Sequence, residues 1–196
     1  MAGGIDRYRR ELHYQVRGLW SGAFDRDQFE TNMTVLINDG LAAAFAEGAQ
    51  SVGIQEDEFT KDEQRVINEK ADAEVDQVAG FADAIIAGSR ANGGKLEALY
   101  TRTEMWVLRY AELVSMGKAM AGADQKLKWV LGETEHCATC QRLSGLVHRG
   151  SQWLNYVMPQ DHDLLCCGGW RCQCKLEPTT DKASRKYPPV PGDCKV

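Results

Sequence analysis

The sequence predicts a mainly α-helical chain ending in a small α+β module, rich in cysteine, with short antiparallel strands of the zinc-knuckle kind. Three observations predict it. Apolar residues recur at three- and four-residue steps over the first 120 or so positions, as one buried helical face requires. Near Lys126 the texture changes to short alternating segments. All seven cysteines lie after residue 136, six of them between Cys137 and Cys174.

The first helix is expected over Ile5–Phe24, on a stripe of Ile5, Tyr8, Leu12, Val16 and Leu19 with Trp20 beside it. Tyr14 falls off that stripe. Asp25 or Asp27 can cap a second helix carrying Phe29, Met33, Leu36, Ile37, Leu41, Ala44 and Phe45, before Gly48 and Gly53 punctuate the chain. Thr60-Lys-Asp-Glu63 is a capping box: the hydroxyl accepts the Glu63 amide while the carboxylate reaches back. It opens a third helix through Val66, Ile67, Ala71, Val75, Val78, Phe81 and Ile85, stopped at Asn92-Gly93-Gly94. A fourth runs from Lys95 through Leu99, Trp106, Leu108, Tyr110 and Leu113 to about Met120. Strands are expected at Lys126–Gly132, Gly145–His148 and Cys174–Pro178, separated by a loop holding Trp153, Tyr156 and Pro159. Residues 1–94 thus form an N-terminal helical region and 95–180 a domain with the cysteine cluster. Residues 181–196 read as an extended, Pro-containing, poorly packed tail.

Hydrophobic content of 43% and charged content of 26% are values of a globular chain. No apolar run has the length of a bilayer span, and Met-Ala-Gly-Gly-Ile-Asp lacks a signal-peptide core, so no membrane is expected and folding is expected in a cytoplasm. The net charge of −5 is uneven. Residues 1–125 carry 13 Lys/Arg against 21 Asp/Glu, and residues 126–196 carry 10 against 7. That is no strongly basic nucleic-acid footprint.

Cys137-x2-Cys140, followed after a hairpin-sized interval by Cys172-x-Cys174, can place four thiolates around one tetrahedral Zn²⁺. Cys166, Cys167 and His162 are alternate ligands. A module of this size has little core of its own, and a structural metal contributes on the order of 10 kcal/mol of apparent folding energy. C-x-C holds its thiolates differently from C-x2-C, which can leave one of Cys172 and Cys174 outside the site. Reduced thiols or disulfides are the competing states of these residues. The odd cysteine count argues against a fully paired disulfide framework.

Thr101-Arg102-Thr103-Glu104, then Lys128-Trp129, Cys137-x2-Cys140, Leu143-Ser-Gly145 and Cys172-x-Cys174-x-Leu176-x-Pro178 follow one another in order. That order, over about residues 95–180, resembles the phage head morphogenesis family, the minor head proteins similar to phage Mu protein F. The family closes on His-x2-Cys-x-Cys; here its histidine position is Gly169, and His162 stands nine residues clear of Cys172. The resemblance implies a non-enzymatic virion protein in several copies, made during capsid assembly. It implies portal or major capsid protein as partner, with a contact to packaged DNA. Arg102 and Glu104 are candidates for buried ion pairs that hold the fourth helix to the C-terminal module, or for exposed pairs of little worth. Trp170 and Arg171, after a Gly-Gly turn, form a candidate contact point.

An HNH-type nuclease would add a histidine base and further ligands on a following helix. His148 and Asp161-His162-Asp163 supply parts of that set, but no helix with a second histidine follows. No Cys–His–Asp/Asn order supports a cysteine nucleophile. Arg142, Arg149, Arg171 and Lys175 near Trp153 and Tyr156 offer cations and stacking groups for a nucleic-acid-binding zinc module.

Overall fold

The computed structural model describes residues 3–133, 135–161, 164–169 and 172–187. Helices α1 (Gly4–Ser21), α2 (Arg26–Gln50), α3 (Lys61–Val75), α4 (Val78–Ala87) and α5 (Leu96–Ala121) fill the N-terminal two-thirds. Strand β1 (Lys126–Val130), short helix α6 (Ala138–Leu143), β2 (Val147–Arg149), α7 (Gly150–Leu154) and β3 (Lys175–Pro178) follow. The chain is mainly helical with a small C-terminal antiparallel sheet, as the sequence predicts.

Two compact units result, and neither follows a cut of the chain at residue 94. One comprises residues 1–43 and 64–110, the other 44–63 and 111–196. In the first unit the predicted stripes are buried: Leu12 and Val16 of α1, Phe29, Met33, Ile37 and Leu41 of α2, and Phe81 and Ile85 of α4. Aromatic rings knit this core, with Phe81 5.2 Å from Trp106 and Tyr8 5.3 Å from Tyr110. The expected third helix is two helices. Val75-Asp76-Gln77-Val78 combines β-branched residues with aspartate, all poor helix formers, and the chain turns there through Asp76 N–H to Asp72 O and Gln77 N–H to Glu74 O.

The capping box forms as predicted: Thr60 N–H donates to Glu63 Oε2 at 2.7 Å and Glu63 N–H to Thr60 Oγ1 at 3.3 Å. Arg102 and Glu104 correct an expectation, because both find their partners inside the first unit. Glu104 accepts from Arg9 at 3.0 Å, and the Arg102 guanidinium lies 5.1 Å from the Phe81 ring centroid. Both are at least partly exposed, so the ion pair contributes at most about 1 kcal/mol.

In the second unit β1 is the central strand, in the order β2-β1-β3, both pairings antiparallel. Alternation along β1 turns Leu127 and Trp129 into the core and Lys128 outward. Trp129 faces Leu176 across the β1–β3 ladder and lies 5.5 Å from Trp153, whose indole donates to Leu127 O at 2.9 Å. Leu143-Ser-Gly145 has a structural reading. Leu143 fills the core, and Gly145, at φ 77°, turns the chain so that its N–H donates to Trp129 O. Lys118 of α5 donates to Leu176 O at 3.0 Å.

The tail departs from expectation up to residue 187. Ser184 exchanges hydrogen bonds with Val147 through its N–H and its Oγ. Tyr187 stacks on His148 at 3.8 Å and lies tilted against Tyr156 at 3.9 Å. The buried edge of β2 offers these partners, and sequence composition does not reveal them. Residues 188–196 lie outside the described residues.

Candidate metal centre

Three loops converge beside Trp129. The first runs from the end of β1 to α6 and carries His136 and Cys137; α6 itself carries Cys140. The second carries Cys166 and Cys167, and the third leads into β3 with Cys172 and Cys174. Cys140, Cys172 and Cys174 are buried within the apolar core of this unit, at 1%, 4% and 2% exposure. Gln160 fixes the third loop: its Nε2 donates to Cys172 O at 2.9 Å and to Cys174 O at 2.7 Å.

The cysteines form two overlapping triads that share Cys140. Cys140, Cys172 and Cys174 have all Sγ atoms within 4.8 Å of one another, and so do Cys137, Cys140 and Cys167. The Cys140–Cys172 separation is 3.8 Å. Thiolates about 2.3 Å from a tetrahedral Zn²⁺ lie about 3.8 Å apart, so Cys140 and Cys172 already have the spacing of two corners, with Cys174 within 4.8 Å of both. Both members of the C-x-C pair take part. Cys137, at the N-cap of α6, accepts from Cys140 N–H at 3.5 Å and sides with Cys167.

The four predicted ligands are therefore split between two groups. Of the alternates, Cys167 joins the cluster. Cys166 is disulfide-bonded and offers no thiolate; its Sγ lies 2.9 Å from Thr139 Oγ1. His162, Trp170 and Arg171 lie outside the described residues.

One residue escaped the sequence reading. His136 directs Nδ1 at Cys174 Sγ, 3.8 Å away, while its Nε2 lies 3.1 Å from Gly132 O. The run His136-Cys137-x2-Cys140 is the signal that could have found it.

The thiols share protons unequally. Hydrogen bonds from Cys140 and Cys172 lower the Cys174 thiol to about 3, with the Gly132 N–H assisting. Cys140, serving Cys172 and Cys174 as donor, is raised far above an ordinary thiol. Burial raises Cys167 to about 11. Cys174 thus offers a thiolate, and the protons held by Cys140 and Cys172 are the ones a divalent ion would displace on binding. The buried triad can hold a metal ion, and its all-sulfur character suits Zn²⁺ or another thiophilic ion.

His148, the one candidate nuclease base among the described residues, is 3% exposed on β2, with Tyr187 stacked over it and Trp153 edge-on at 5.0 Å. Arg149 pairs with Asp124 at 2.9 Å and Lys175 with Glu177 at 2.7 Å. Among the described residues no helix is long and apolar enough to cross a membrane. Comparison with protein-family models, with curated proteins and with solved structures finds no match for this chain.

Proposed function

We propose that this chain is a structural minor head protein of a tailed bacteriophage, acting in head assembly or completion near the portal vertex. In this reading a Zn²⁺ ion pins the C-terminal unit, portal or major capsid protein is the partner, and packaged DNA lies within contact range. The observation that carries the reading is the ordered landmark set from Lys128-Trp129 to Leu176-x-Pro178. Each landmark has a structural job in one small unit: Trp129 and Leu176 pair across the sheet, Gly145 makes the turn, and the cysteines meet beside them. An independent nucleic-acid role has less support, since Arg149, Lys128 and Lys175 each face a carboxylate of the same unit.

Mass spectrometry of gradient-purified particles, full and emptied of DNA, tests the reading. The expected result is this chain at low copy number in the head; loss on emptying would mark it as ejected with the genome. Absence from both proheads and virions overturns it.

A further inference from the structure

We infer that His136 is a metal ligand, and that the ion is held by Cys140, Cys172, Cys174 and His136 Nδ1 rather than by the two C-x2-C thiols together. The inference rests on the metal reading above and assigns its fourth ligand. Three cysteines and one histidine are one of the standard tetrahedral donor sets of structural zinc.

The geometry of the imidazole carries the argument. Gly132 O can only accept, so the 3.1 Å contact with Nε2 requires the proton on Nε2. In the neutral ring, the form that binds a metal, Nδ1 then carries the free lone pair, and it faces Cys174 Sγ at 3.8 Å. A nitrogen and a thiolate sharing a tetrahedral Zn²⁺ are about 3.5 Å apart, given bonds of about 2.0–2.1 and 2.3 Å. A backbone carbonyl on the far ring nitrogen is the outer-shell partner that ligating histidines use to fix tautomer and orientation.

Gly132 ties the two ligands together, because its N–H serves Cys174 Sγ while its carbonyl holds the ring. A side chain at this position would collide with the Gln173 backbone, so the close approach of the two loops needs glycine. Cys137 has a different environment. Its sulfur belongs with Cys140 and Cys167, and it serves as the N-cap of α6. His136 stands more than 4.8 Å from Cys140 and Cys172, so the imidazole closes onto them from Cys174, whereas Cys137, already beside Cys140, would have to leave Cys167.

The test uses the full-length chain, purified reduced and loaded with one equivalent of zinc. X-ray absorption at the zinc edge should fit three sulfurs and one nitrogen, and the Co²⁺-substituted protein should show the visible bands of that same mixed donor set. His136→Ala should weaken zinc in a chelator competition by more than the roughly 10–100-fold that an outer-shell change costs. His136→Cys should restore binding with a four-sulfur spectrum, which separates ligand loss from misfolding. Cys137→Ser should bind within a few-fold of the parent. A four-sulfur parent site, with zinc lost from Cys137→Ser and kept by His136→Ala, overturns the assignment and leaves the metal reading standing. A parent chain that binds no zinc at all overturns both.

Discussion

Gln160 illustrates how much of the centre depends on single side chains. It is the one non-glycine described residue with positive φ, at 65°, a conformation that costs an ordinary residue about 1–2 kcal/mol. Two buried hydrogen bonds to the carbonyls of Cys172 and Cys174 hold it there. Gln160→Ala leaves both carbonyls without their donor and should destabilise the chain by about 1–3 kcal/mol. Zinc affinity should fall with it, because the C-x-C loop loses its anchor; unchanged affinity in a chelator competition would remove that role. His148 makes a second prediction. Burial under Tyr187 lowers its pKa, so the unfolded chain takes up a proton that the folded ring refuses. The stability is therefore complete above the ordinary imidazole value of about 6.5 and is lost as pH falls through it toward the depressed folded value. The urea midpoint should drop between pH 7.5 and pH 5.5, and drop less in His148→Phe. Half-buried His13 acts in the same direction, through burial, and is present in both proteins, so the difference in slope isolates His148. Neither role was legible in the sequence. The positions of Gln160 and His136 depend on where three loops close, and cysteine spacing leaves that closure open.

At the scale of elements, the stripes and caps were legible because they depend on near neighbours. Leu12, Val16, Ile37 and Phe81 are buried as their spacing demands, and Thr60 caps α3 with Glu63. The three short strands were legible from alternation, and Trp129 from its size and place on one of them. The break between α3 and α4 was not, since the periodicity of Ala71, Val78, Phe81 and Ile85 continues across it. The approach of α2 to α5 within the second unit was equally hidden. A Cβ on Gly48 would run into Val114 O, and one on Gly117 into Phe45 O. These two glycines let the helix backbones touch, whereas the sequence reads Gly48 as punctuation and runs the fourth helix through Gly117 without a role for it. Gly117→Ala should therefore destabilise the chain by about 1–3 kcal/mol through overpacking, although alanine gains up to about 1 kcal/mol in helix propensity. A urea titration decides the sign. A rise in midpoint would mean that the two backbones part without loss.

At the scale of the molecule, cysteine chemistry divides the chain where the fold does. The first unit contains no cysteine and buries continuous helical stripes, so its stability needs no cross-link. The second has a three-stranded sheet of short strands, and Cys140, Cys172 and Cys174 stand inside its core beside Leu127, Trp129 and Trp153. Removing a bound ion there returns buried thiolates to an apolar setting, where they must take up protons or seek water. Chelation should consequently open one part of the chain. Amide exchange should accelerate by orders of magnitude in residues 126–178, as expected when apparent metal energies of about 10 kcal/mol are withdrawn. Residues 4–43 and 64–110 should keep the protection of the metal-loaded protein. Acceleration spread evenly over both units would mean that the ion stabilises the whole chain as one cooperative body. No acceleration at all would place the stability of the C-terminal unit in its tryptophan-centred core, with the thiols as passengers.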